Sequence, residues 1–304
     1  MKWMDKLKSN QKLNRFIHTT QERMVSSEIG NTSVVVAYYL LLSLFPLLIT
    51  IGNLLPYLRI DPNTVLPYVA EIIPETIFND LKPAIKSLLT QSSGGLLSIS
   101  ALATLWSASQ SINALQTAMN KAFGVEPRKN IIIVRLVSLV VIVLFLVSLV
   151  GVVVVLGLGQ NILEFLEPFV HIPTDFLDTF EALKWPVTAL GLFLVLSLIY
   201  LVVPNVKLKS RSVLPGAVFA TIGWLLLSQV FGIYITYFSS RVSGYQIIGS
   251  FIVLMLWLNF AATIIVLGGI VNAVVEDYLS HGEIEDRDGM IKQLFSSVKK
   301  KFKK

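Results

Sequence analysis

The sequence predicts an all-α integral membrane protein with six transmembrane helices, and three observations carry that expectation. The 304-residue chain is 54% hydrophobic and only 14% charged, with a mean hydropathy of +0.70. A soluble domain carries about 25% charged residues, so the charge deficit is the stronger sign. Six windows reach the ~20 mostly apolar residues that a helix needs to cross a bilayer. Lys and Arg fall alternately on one side and the other of these windows. The chain has no cysteine, which excludes a disulfide framework and a thiolate metal site.

The expected spans are 34–55, 95–118, 134–159, 185–204, 213–238 and 247–275, together forming a transmembrane domain over 31–276. The first follows a charged segment and is too long for the apolar part of a cleaved signal, so it should stay as an anchor. Pro46 should kink it and free carbonyls near Ser43. The second, GLLSISALATLWSASQSINALQTA, is the weakest by hydropathy. The fourth ends at Pro204 and Asn205, and the fifth begins with Pro215 in its first turn. Gly216, Ala220 and Gly223 share a narrow arc of the fifth, a small-residue seam for close helix packing. Gly268 and Gly269 should loosen the sixth. No internal repeat is evident.

Four segments lie outside the spans. Residues 1–30 mix Lys and Arg with Leu7, Leu13, Phe16 and Ile17, as a helix on an anionic inner leaflet would. Residues 62–90 carry apolar side chains at helical spacing with four prolines, which predicts two or three short helices. Residues 161–184 repeat the pattern, and both should form an outer cap. Residues 277–304 form a basic tail.

Charge sets the orientation. With the N-terminus in the cytoplasm, the inner segments hold 20 of the 25 basic residues. The outer segments keep Arg59, Lys82, Lys86, Lys184 and Arg241, with nine of the 19 acids. Leaving the second window out of the membrane would move Lys121, Arg128 and Lys129 to the acidic side. The count therefore argues for its insertion; a re-entrant segment is the alternative. Both termini should then be cytoplasmic.

The second span raises the functional question. On a helical wheel Trp106, Ser109, Asn113, Gln116 and Asn120 fall within about 80° of arc. Amides and hydroxyls facing lipid are costly, so this face should look into the bundle. It could line a wet substrate pathway, or it could be interhelical glue. Arg135, Lys207 and Arg211, near the inner helix ends, could meet anionic head groups. The same charges would also serve orientation alone.

The segments AYYLLLSLFPLL (37–48), WSASQSINALQTAMNKAFGVEPR (106–128) and YLVVPNVKLKSRSVLPGAVFATIGWLL (200–226) resemble the YihY/BrkB family of bacterial inner-membrane proteins. So do FGIYITYF (231–238) and YQIIGSFIVLMLWLNFAATIIVLGGIVNA (245–273). The resemblance covers nearly all of 30–275. It implies six helices in a bacterial cell membrane and a function that is not settled. Parts of the family have carried the labels ribonuclease BN and virulence factor, and transport of an amphiphile is a later suspicion.

The residues themselves weigh these chemistries. Nuclease work needs clustered His and carboxylate ligands. Of the three histidines, His18 and His281 fall inside and His171 outside. No phosphate-binding loop or nucleophile elbow is present. No catalytic residue, metal, cofactor or nucleic-acid partner is expected. The spans contain no carboxylate between their ends; Glu28 and Glu276 sit at the inner boundary. Two readings stay open. One is a transporter or flippase-like protein for a lipid or another amphipathic envelope molecule, an anionic amphiphile among them. The other is a non-transporting scaffold in envelope maintenance that binds a partner through its cap or tail. Oligomeric state is not legible.

Overall fold

The computed structural model describes residues 11–58, 61–72, 75–90, 94–128, 130–153, 174–239, 246–280, 284 and 286–287. Its helices are α1 (Gln11–Ser26), α2 (Ile29–Leu58), α3 (Pro62–Ile72), α4 (Glu75–Thr90), α5 (Gly94–Phe123), α6 (Ile131–Val153), α7 (Thr174–Val202), α8 (Ser210–Ser239) and α9 (Gln246–Leu279). Among the described residues there is no strand, only an isolated bridge between Val206 and Asp286. The fold is all-α, as its composition predicts.

Every expected window contains helix. Three helical stretches are long and apolar enough to cross a membrane: Ile29–Pro56, Ser210–Tyr234 and Gly249–Leu279. Ile132–Leu144 and Thr188–Val202 are shorter apolar stretches. Apolar length thus identifies three spans by itself, and the six-span reading leans on charge for the rest.

Several boundaries differ from expectation for physical reasons. Helix α2 starts at Ile29, because Glu28 adopts a left-handed φ of 47° that ends α1 and turns the chain. The Ser27 hydroxyl donates to the Arg23 carbonyl at 2.5 Å and finishes α1. Pro46 lies inside an unbroken α2, where the Thr50 hydroxyl donates to its carbonyl at 2.7 Å. The outer segment 62–90 does form two helices, α3 and α4. Helix α4 is more than a surface cover: Ile77, Leu81, Ile85 and Leu89 are buried. A Cβ on Gly52 would meet the Leu89 carbonyl at 2.5 Å, so α2 and α4 touch backbone to backbone. The second cap segment does not separate from its span, since α7 runs unbroken from Thr174. The rest of that segment, up to residue 173, lies outside the described residues.

The bundle has two apolar centres. Near its cap end, Leu81, Ile85 and Leu89 pack with Phe231, Leu254 and Trp257. Near the other end, Met119 and Phe123 of α5 pack with Tyr200, Val203, Val213, Val266 and Ile270. This second end carries Lys121, Arg128, Lys207 and Arg211 and is called the basic end below. Helix α5 runs antiparallel to α2: Ser111 reaches the Val36 carbonyl at 3.3 Å, and Ser100 lies 3.1 Å from Thr50. Helices α8 and α9 also run antiparallel along the expected seam. Gly216 faces the Gly268 carbonyl and the Asn272 side chain, and Gly223 faces Ile264. Ala220 is fully buried between them in sequence. Gly216 also donates its N–H to Asn272 Oδ1 at 2.7 Å. Gly268 and Gly269 give α9 close contact with Gly216, Tyr200 and Met119.

Candidate functional site: the polar faces of helix α5

Helix α5 carries two polar faces, and the sequence marked only one. The first is a row of hydroxyls at Ser100, Thr104, Ser107 and Ser111, all buried. Thr104 donates to the Ser100 carbonyl and Ser107 to the Ala103 carbonyl, both at 2.8 Å. Ser100, Thr104 and Ser107 thus fold back on their own helix and Ser111 donates to α2, which makes the row cheap to bury in an apolar bundle. Thr50 of α2 lies 3.1 Å from Ser100 and 3.5 Å from Thr104. This seam binds α2 to α5. Its signal in the sequence is the i, i+4, i+7, i+11 spacing of small hydroxyls, opposite the amide face.

The amide face divides into a buried part and an open edge. Ser109, Gln116 and Asn120 are buried. Trp106 is 52% exposed, and Asn113 is exposed. The expectation that all five look inward therefore holds for three. Among the described residues no helix covers the side of the arc where Trp106 and Asn113 sit. Tyr39 of α2 meets Trp106 edge-on at 6.3 Å and Tyr38 at 5.3 Å, which forms an aromatic border to the open edge.

Ser109 is joined by Arg135. The Arg135 guanidinium, from the second turn of α6, donates to the Ser109 hydroxyl. Ser109 lies eleven residues from Asn120, about 16 Å along the helix. Arg135 therefore carries a positive charge well away from the basic end, and its side chain stays exposed. A cation placed among apolar helices is costly unless it finds an anion or water.

Toward the basic end the face is covered. Asn120 Oδ1 accepts the Asn205 N–H at 2.8 Å, and Asn205 Nδ2 donates to the Glu126 carbonyl at 3.1 Å. The turn at 203–206, buried throughout, is tied down by two arginines. Arg128 donates to the carbonyls of Val203 at 2.8 Å, Pro204 at 3.0 Å and Val202 at 3.2 Å. Arg287 donates to Val206 at 2.8 Å and also to Leu201. These carbonyls end α7 and have no helical partner, so the arginines serve as its C-cap. Burial lowers the Arg287 pKa from its ordinary value. Lys207 and Arg211, exposed, follow this turn in the chain and flank it. Ser109 and Arg135 are thus brought together, while Lys207 and Arg211 stand by the Asn120 end.

Gln116 is the outlier. It is 2% exposed, and among the described residues neither its Oε1 nor its Nε2 has a hydrogen-bond partner. Asn120 Nδ2 and Asn205 Oδ1 are unpartnered as well. A buried polar group left unpaired costs about 1–3 kcal/mol.

An ion-paired collar surrounds the basic end. Arg23 meets Asp277 at 3.5 Å, and Lys121 meets Glu28 at 2.7 Å. The Lys121 ammonium, by hydrogen bond and charge, holds the Glu28 carboxyl below its usual range. Glu276, which the sequence left at the boundary, is 3% exposed with Oε2 unpartnered among the described residues. His18 pairs with Glu22 at 3.1 Å, and His171 and His281 lie outside the described residues. Among the described residues no three His, Asp or Glu side chains gather as metal ligands would.

Comparison with known proteins places this architecture. The family described as virulence factor BrkB matches residues 20–289. The ribonuclease-like protein YfkH of Bacillus subtilis (strain 168) is 35% identical over 260 residues, 86% of this chain and 94% of that protein. A UPF0761 membrane protein of Glaesserella parasuis serovar 5 is 32% identical over 103 residues, 32% of this chain and 36% of that protein. The UPF0761 membrane protein IL2447 of Idiomarina loihiensis is 25% identical over 126 residues, 41% of this chain and 44% of that protein. No solved structure matches the chain.

Proposed function

The chain belongs to the virulence factor BrkB family of membrane proteins, and we propose that within it this protein moves an anionic amphiphile, a lipid or related envelope molecule, across the bacterial inner membrane. The observation that carries this reading is Arg135 held at Ser109, beside the open Trp106–Asn113 edge of α5. An anionic head group there would meet a cation whose partner among the described residues is the neutral Ser109 hydroxyl. Its apolar tail would lie along Trp106, Tyr38 and the exposed α6 residues Leu136 and Leu139. The hydroxyl of Ser109 holds the guanidinium in place, so the charge is set before the passenger arrives.

In this reading the basic end faces the cytoplasm and both termini lie there. The support is the concentration of Lys and Arg on that side. Lys207 and Arg211 would draw anionic head groups toward the inner end of the path. The nuclease label of one relative belongs to that relative.

The test is reconstitution in liposomes with head-group-labelled phospholipids. Wild type should move an anionic lipid faster than a zwitterionic one, and Arg135→Gln should remove the preference. Rates unchanged by Asn113→Leu combined with Gln116→Leu would end the idea that the amide face is the path.

A further inference from the structure

Gln116 and Asn120 lie one helical turn apart on the same buried face of α5, and the 203–206 turn sits on Asn120. Among the described residues the turn bonds Asn120 through the Asn205 N–H, leaving Asn120 Nδ2 and Asn205 Oδ1 unfilled. Behind it Gln116 presents a free donor and a free acceptor. Neither amide carries charge; Arg135, at Ser109, lies about 10 Å from Gln116 along the helix, and the Arg128 guanidinium is engaged by the carbonyls of the turn itself. We infer that the 203–206 turn is a plug, and that Gln116 and Asn120 beneath it bind the uncharged hydroxyl or amide groups of the passenger's head when the plug lifts.

The inference rests on the transport reading and adds the chemistry of the head. Arg135 fits the anionic part. The two amides, each with donor and acceptor, match hydroxyls, which also donate and accept. The turn is a short unit whose Val203 and Val206 pack in the basic-end core. Its outward carbonyls are held by side chains, Arg128 and Arg287, from a loop and from the tail, not by a packed helix. Asn205 holds it down on the α5 side through two neutral hydrogen bonds.

Two arms test this on the full chain in proteoliposomes. The chain has no native cysteine, so Gln116→Cys gives a single reporter. A membrane-impermeant maleimide on the basic-end side should label it slowly. Adding Asn205→Ala, which removes the side-chain bond to the Glu126 carbonyl and keeps the backbone N–H bond to Asn120, should speed labelling by about three- to tenfold, the scale of one neutral hydrogen bond. Equal labelling in both backgrounds overturns the plug. In the second arm, Gln116→Leu should slow phosphatidylglycerol about tenfold more than phosphatidate, whose head is a bare phosphate. An equal effect on both, or none, overturns the head-group assignment. Should wild type move neither lipid, the transport reading fails and takes the head-group assignment with it, while the labelling arm still judges the plug.

Discussion

The two polar faces of α5 use similar atoms in opposite ways. The hydroxyl face, Ser100 to Ser111, satisfies itself: its hydroxyls donate to its own carbonyls or to α2. The amide face leaves Gln116 wholly unpaired and Asn120 half paired. The Gln116 amide makes no bond back to its own helix, whereas the buried Asn53 amide of α2 does so at the Ile49 carbonyl. Burial of a polar residue thus does not by itself separate glue from site. In the proposed reading it is the unfilled hydrogen-bonding capacity that marks the site.

The largest effect that sharpens this contrast comes from Arg128. Arg128→Ala strips three carbonyls at the end of α7 and should cost about 3 kcal/mol, since charged hydrogen bonds carry about 1.5–3 kcal/mol each and some water will replace them. Thermal unfolding in detergent checks it. Gly216→Ala comes next, at about 1–3 kcal/mol, because the new Cβ would collide with the Gly268 carbonyl. A helix–helix seam that opened freely would show no such loss.

Truncation separates structural tail from dispensable tail. Ending the chain after residue 281 removes Arg287 and its caps on Leu201 and Val206, and should destabilise by about 1–3 kcal/mol. Ending it after residue 287 should not. A deletion meant to test a scaffold role of the tail must therefore leave Arg287 in place.

The smallest effect is at the collar. Lys121 lowers the folded-state pKa of Glu28 from its ordinary 4.5, so the pair stabilises the fold fully above that value. The contribution disappears as pH falls through the lowered pKa. Both partners are exposed, so the change should be slight and weakened by salt. Lys121→Gln should flatten this acid limb of a stability–pH profile and leave neutral pH nearly unchanged.

Much of the fold was legible because membrane burial writes itself in long apolar runs. The α8–α9 seam followed from Gly216, Ala220 and Gly223, whose small size has few other uses at that spacing. The amide face followed from the wheel, but its division did not. Which side of α5 is covered depends on where α6 and the 203–206 turn lie, and that is set by tertiary packing. Arg128 and Arg287 read in the sequence as ordinary inside charges; only the fold shows that they cap α7. The hydroxyl face was passed over because Ser and Thr are unremarked in apolar helices, although their spacing was available.

The most direct test of the central claim compares Gln116→Leu with Thr104→Val, two substitutions of similar shape on opposite faces of α5. Each variant is measured for thermal midpoint in detergent and for anionic-lipid movement in liposomes. The account predicts that Gln116→Leu keeps or raises the midpoint while movement falls about tenfold, since it removes an unpaired amide. Thr104→Val should change both by little, about 0.6 kcal/mol in stability at most. A Gln116→Leu protein with a lowered midpoint and unchanged lipid movement would contradict the account and make the amide face glue after all.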